Sequence, residues 1–384
     1  MKSQLAAYFF NQYNQQPSVI VRSPGRVNII GEHADYNNGF VLPAAIDKAA
    51  YIAISLRDDD DEIHLTALDL NESFSTTVAA LKPCGDISWP NYILGAAAQF
   101  IKRGDKLPGF NAVLTGDVPI GAGLSSSAAV ECATVFALNH LLKTNIERVE
   151  MVSMAQKAEH EYAGVMCGIM DQFASMMGKE DQVIKLDCRS MEYEYVPFNL
   201  TGIKILLLNT NVKHSLASSE YNTRRKESMQ AVELIQPYHP NVQSLRDASV
   251  QILEEYVLPF NELVYKRARF VVDEMERLNE ACVFLNEGNI KGLGACMFET
   301  HEGLSTQYEV SCKELDFLVD FVRDRPEVIG ARMMGGGFGG CTINLVEESA
   351  IEKLINDIKP AYELAMGLPL DYYIASIQNG TEII

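Results

Sequence analysis

Residues Gly121 to Val130 read Gly-Ala-Gly-Leu-Ser-Ser-Ser-Ala-Ala-Val, a glycine-rich turn that enters a run of helix formers. Backbone amides at such a turn, with the unpaired N–H groups and positive dipole end of the helix that follows, make a cradle for an anion. No Walker lysine accompanies it, so phosphate there is to be held by main-chain amides and the hydroxyls of Ser125, Ser126 and Ser127. Taken alone, a serine-capped turn accounts for the same letters. A second stretch, Gly25 to Gly39, crowds Arg26, Glu32, His33 and Asp35 into one strand-loop unit. Carboxylates accept sugar O–H donors and imidazole both donates and accepts, so Glu, His and Asp on one loop form a hydroxyl-recognition set. The same three could be metal ligands or loop solubilisers, but no second His, Cys or Asp pair has fitting spacing and no H-E-x-x-H occurs.

Further along lie Glu159, near the end of a helical run, and Gly168-Ile-Met-Asp-Gln172, where Asp171 precedes an apolar helix. Alone, Asp171 reads as a helix cap. A third stretch, Gly330 to Cys341, is too glycine-dense for regular structure; it is a bulged hairpin turn or a place where backbone comes close to something.

The elements that must position these groups follow from periodicity. Val19 and Val21 start a short strand that meets Ser-Pro-Gly-Arg, and Val27 to Ile30 forms a second apolar run. Ala49 to Leu56 and Ile63 to Leu68 alternate, with the acidic run Asp58 to Asp61 as a solvated hairpin turn between them. Phe110 to Leu114 is strand-like, whereas Pro90 to Lys102, Leu124 to Leu142 and Ile146 to Ala163 are helix-like. Strands at Gln182 to Leu186, Tyr193 to Phe198 and Ile203 to Asn209 open a second half. Amphipathic helix dominates Tyr221 to Asn286, broken at Pro237, Pro240 and Pro259; Cys312 to Arg323 adds a helix and Thr342 to Val346 a strand. No linker or repeat separates the halves, so they are expected to pack around a shared cleft.

A chain of 384 residues calls for two domains or one large composite, and 47% apolar with 22% charged residues is ordinary for a globular protein. The formal charge of -19 excludes nucleic acid and anionic membrane as natural partners while leaving a small nucleotide possible. The eight cysteines are scattered without a C-x-x-C pair and read as reduced. No signal peptide or membrane-length apolar run is evident, and a cytoplasmic location is expected.

Taken together and in order, Gly25 to Gly39, Pro119 to Ala129 and Gly330 to Gly340 resemble the three motifs of the GHMP small-molecule kinase superfamily, and the first is similar to that of its galactose-phosphorylating branch. Cys167 to Phe173 and Asn209 to Arg225 are similar to family patterns as well. The resemblance implies an α/β fold of two lobes with mixed sheets, 1–200 and 201–384, the active site between them and the segment Asp371 to Ile377 returning to the first lobe. It implies transfer of a phosphoryl group from ATP to C1 of D-galactose by a monomer, with Mg²⁺.

By the same resemblance Gly121, Ala122, Gly123, Leu124, Ser125, Ser126 and Ser127 wrap the nucleotide, with Trp89 near the adenine or, equally, in the core. Ser127 and Glu159 hold the metal, Asp171 is the catalytic base, and Arg26 stands beside it. Glu32, His33, Ala34, Asp35, Gly168 and Tyr221 bind the sugar. Two positions depart from the motif: Ala34 stands for a usual Thr and Asn38 for a usual Gly. A kinase acting on N-acetylgalactosamine, mevalonate or homoserine would share the second motif, and the Glu-His-x-Asp set opposes the last two. A catalytically silent sugar sensor is opposed by the intact serine loop and Asp171.

Overall fold

The computed structural model describes residues 1–58, 60–85, 88–119, 121–198, 201–212 and 217–384. Asp59 of the acidic run and Ile120 of the second motif therefore lie outside the described residues.

In chain order the first half contains α1 (Lys2–Tyr13), β1 (Val19–Asn28), β2 (Phe40–Val41), β3 (Pro43–Leu56), β4 (Glu62–Ala67) and β5 (Glu72–Thr77). There follow α2 (Pro90–Arg103), β6 (Phe110–Gly116), α3 (Ser126–Leu142), α4 (Arg148–Ala158), α5 (Met170–Met177), β7 (Gln182–Asp187) and β8 (Tyr193–Pro197). The remainder is β9 (Ile203–Asn209), α6 (Ala217–Ile235), α7 (Val250–Tyr256), α8 (Glu262–Asn286), α9 (Ile290–Thr306), α10 (Lys313–Arg323), β10 (Val328–Met333), β11 (Cys341–Glu347), α11 (Ile351–Met366), β12 (Asp371–Ala375) and β13 (Glu382–Ile383). The architecture is mixed α/β, as expected.

A six-stranded sheet runs β13-β1-β3-β6-β4-β5. Alternation in its strands sorts side chains to two faces: Ile20, Ala53 and Val113 meet Leu5 and Phe9 of α1, while Val21, Ile52 and Ala112 join the larger core built with α2 to α5. A four-stranded sheet runs β10-β11-β9-β12. Its β9 is apolar on both faces because both are covered: Ile205 and Leu207 pack with Leu293 and Met297 of α9, and Leu206 and Leu208 with α10 and α11.

Three expectations are corrected. Val19 to Asn28 is one strand with a register shift between Pro24 and Arg26, where Gly25 meets the Leu124 carbonyl. The two alternating runs β3 and β4 do not form a hairpin: β6 lies between them, antiparallel to β3 and parallel to β4. Of the segment Asp371 to Ile377 only the end returns to the first half: Asp371 to Ala375 pairs with β9 in the second sheet, Ser376 and Ile377 meet Asp47 and Ile46, and β13 then joins β1.

Candidate active site

A cavity of about 390 Å³ is lined from both halves of the chain, and Arg26, Glu32, His33, Asp35, Glu159, Gly168, Asp171 and Tyr221 all reach it. These residues come from the end of β1 and its loop, the end of α4, the start of α5 and the loop before it, and the start of α6.

At its centre is a forked ion pair. Arg26, from β1, donates from Nε to Asp171 Oδ1 at 2.8 Å and from Nη2 to Oδ2 at 3.0 Å. Its third arm, Nη1, donates to the Gly123 carbonyl at 2.6 Å. Arg26 thus ties the carboxylate at the start of α5 to the glycine loop before α3. Burial opposes its charge, and the carboxylate of Asp171 outweighs that and holds it cationic. The loop turns through Gly121 at φ +78° and Gly123 at φ +74°, conformations that L side chains rarely adopt. Ser125 follows at φ +59° and turns its Oγ to Asp171 Oδ2, 2.5 Å away. As N-cap of α3 it makes no side-chain cap, which leaves the first-turn amides free for an anion.

The hydroxyl-recognition set is buried and pre-oriented. Glu32 Oε1 accepts from Arg332 Nη2 at 3.1 Å and from the Gly335 amide at 2.8 Å. His33, at φ +60°, pairs through Nδ1 with the Tyr36 hydroxyl at 2.8 Å, and burial, against the pull of Glu32, lowers its pKa to about 4. Burial likewise raises Asp35 to about 6, with the charge of Asp171 adding to it. The main chain at Gly168 presses against the Asp35 carboxylate. Tyr221 places its ring 5.7 Å from that of His33 and 5.4 Å from that of Tyr36. Ala34 is fully buried, and its carbonyl accepts the Asn37 and Gly39 amides. Asn38 sits at φ +57°, a conformation Asn tolerates, so the turn keeps the geometry a glycine would supply.

Ser127 Oγ donates to Glu159 Oε1 at 3.0 Å, and Gln172 Nε2 donates to Glu159 Oε2 at 2.6 Å. Glu159 opens a π-helical turn, Glu159–Ala163, that continues α4. Burial, then the charge of Asp171, raises its pKa. Among the described residues no group of three His, Cys, Asp or Glu side chains converges as a metal cage. One hydroxyl and one carboxylate nonetheless fit Mg²⁺, which keeps several waters and takes phosphate oxygens rather than a full protein shell. A carboxylate burdened by burial and a neighbouring negative charge suits a cation.

Trp89 is 8% exposed, donates from Nε1 to Glu72 Oε2 at 2.8 Å, and does not line the cavity. Several residues of the site were not singled out from the sequence. Arg332 is fully buried and donates to the carbonyls of Ile29, Asn28 and Met333 as well as to Glu32. It stood inside the third glycine-rich stretch, where an arginine flanked by apolar residues was the available signal. Tyr36, Tyr308 and Gln172 gave none, because their partners are set by tertiary packing.

Family models for the GHMP kinases N terminal domain match residues 91–179 and for GHMP kinases C terminal residues 280–363, so fold and phosphate loop define a GHMP kinase. The model described as galactokinase galactose-binding signature matches residues 7–56. A galactokinase of Thermotoga petrophila is 40% identical over 95% of this chain and 99% of its own, and one of Clostridium acetobutylicum 40% over 98% and 97%. The crystal structure of Lactococcus lactis galactokinase complexed with galactose superposes with a TM-score of 0.94 at 34% identity, covering 100% of both chains. Methanococcus jannaschii mevalonate kinase, at 20% identity and a TM-score of 0.68, shares the fold. The chain belongs to the galactokinase family.

Proposed function

We propose that the protein transfers the γ-phosphoryl group of ATP to the C1 hydroxyl of D-galactose, giving galactose 1-phosphate and ADP. The observation that carries this is the Arg26–Asp171 pair, which stands between the glycine loop of α3 and the Glu32, His33 and Asp35 set. Phosphoryl transfer through a loose transition state demands alignment and charge stabilisation more than covalent chemistry. The amides of Gly121 to Ser127 hold the phosphates, and Glu32, His33, Asp35, Tyr221 and the main chain at Gly168 hold the sugar.

Asp171 accepts the C1 hydroxyl proton as the oxygen attacks. A carboxylate is too weak a base to take that proton early, so transfer accompanies P–O bond formation. The Arg26 cation holds the base in place through its two hydrogen bonds and offsets the charge gathering on the equatorial oxygens. Ser127 and Glu159 would hold Mg²⁺, which supplies charge neutralisation at the phosphates. The buried polar groups of the sugar set penalise an epimer that leaves them unpaired, so glucose is a poor substrate.

A monomer is the proposed acting unit. The cysteines are free, in keeping with a reducing cytoplasm, and among the described residues no helix is long and apolar enough to cross a membrane. The test is ADP release measured across galactose, glucose, talose, 2-deoxygalactose and N-acetylgalactosamine. Turnover should be highest with galactose; binding of ATP and galactose without ADP release refutes the reading, and preference for N-acetylgalactosamine corrects the substrate.

A further inference from the structure

We propose that Tyr36 and Tyr308 are positioning residues that hold His33 with its proton on Nε2, so that the imidazole meets the sugar as a hydrogen-bond donor. The chain of contacts is continuous: His33 Nδ1 lies 2.8 Å from the Tyr36 hydroxyl, which lies 2.7 Å from the Tyr308 hydroxyl. Ser228, itself buried, bonds to Tyr308 at the far end. The other imidazole nitrogen, Nε2, is buried without a partner among the described residues, on a residue that lines the cavity. A buried polar atom left unpaired costs free energy unless a ligand satisfies it.

Burial keeps the ring neutral, so it carries one proton. A phenol O–H is a stronger donor than a neutral imidazole N–H, and the unprotonated ring nitrogen is a stronger acceptor than a phenol oxygen. Tyr36 therefore donates to Nδ1, Tyr308 donates to Tyr36, and the ring proton is left on Nε2. Donors aligned in one direction polarise each other, which strengthens the last bond in the row. Glu32 and Asp35, when ionised, can only accept, so a donor at His33 completes recognition: the two carboxylates take sugar O–H groups and the imidazole serves a sugar oxygen.

The inference rests on the sugar-binding role proposed for His33. Its test begins with nitrogen NMR of ¹⁵N-histidine-labelled protein without sugar, His33 being assigned by loss of its signals in His33→Gln. The expected result is a protonated Nε2 and an unprotonated Nδ1; a proton on Nδ1 overturns the proposal. Tyr36→Phe and Tyr308→Phe keep both rings and remove one hydroxyl each. Tyr36→Phe should mix the two tautomers and raise KM for galactose about tenfold while changing kcat less than about threefold. Tyr308→Phe should keep the tautomer and raise KM about threefold. Unchanged tautomer and KM in Tyr36→Phe at an unchanged melting midpoint overturns the proposal. If the wild type fails to phosphorylate galactose, the functional reading falls, and the NMR result still decides the tautomer.

Discussion

A Cβ built on Gly168 would lie 1.9 Å from Asp35 Oδ2, so the glycine main chain and the carboxylate are packed as closely as atoms allow. Oδ2 and Cγ, at 1.9 and 2.6 Å, can rotate away, and Cβ, at 3.0 Å, must give by a few tenths of an ångström. Gly168→Ala should therefore fold, with a melting midpoint within a few degrees of wild type, yet turn Asp35 out of register with the sugar. The expected outcome is a KM for galactose raised at least about tenfold with KM for ATP little changed, measured by steady-state kinetics.

The raised pKa of Asp35 has opposite consequences for folding and for binding. Folding shifts the carboxyl from 3.8 to about 6 by burial, so the native state favours its neutral form and loses relative stability as pH rises across that window. Sugar O–H groups need the ionised acceptor, so KM for galactose should rise as pH falls through about 6. The profile should lose that inflection in Asp35→Asn.

Asp171→Asn keeps the shape of the acceptor and removes its charge. It should lower kcat about 10³-fold or more while the sugar still binds, as measured by titration calorimetry with galactose. Arg26→Ala should lower kcat by about 10² to 10³. Turnover left intact in Arg26→Ala would reduce the forked pair to an architectural contact.

Ser127→Ala and Glu159→Gln each remove one of the two oxygens proposed to hold Mg²⁺. Both should raise the Mg²⁺ concentration needed for half-maximal ADP release while leaving galactose affinity near wild type. Equal Mg²⁺ response in wild type and Glu159→Gln would mean the ion is held by phosphate and water alone.

Arg332→Met deletes a fully buried guanidinium and strands Glu32 together with three carbonyls. Destabilisation of about 3–5 kcal/mol is expected, read from urea unfolding. Glu32 loses one of the two donors that aim it, so galactose affinity should fall in the protein that remains folded.

Much of this was legible in the chain itself, since motifs that act through main-chain geometry must spend glycines and serines at fixed places. Gly121 and Gly123 could be read for that reason, the Glu32 to Asp35 loop from its crowded polar groups, and Asp171 only through the family resemblance. The α/β content and most helices followed from periodicity. Strand pairing did not: β4 and β3 each alternate cleanly, and nothing local says that β6 will come between them. Gln172 and Tyr308 were equally silent, because a buried amide or phenol acquires its role from residues far away in sequence. Trp89 could be read two ways, and its bond to Glu72 supports the packing role.

The pairing of Val21 and Arg22 with Ile383 and Glu382 sets a condition on biosynthesis. Translation is vectorial, and the edge beside β1 stays open on the ribosome until Glu382 and Ile383 have been made. Ser23, whose hydroxyl is 2.8 Å from that of Thr381, must wait as well. The nascent chain therefore carries an unpaired edge while the residues between β1 and β13 are made, which is the interval in which a chaperone or a neighbouring nascent chain can capture it.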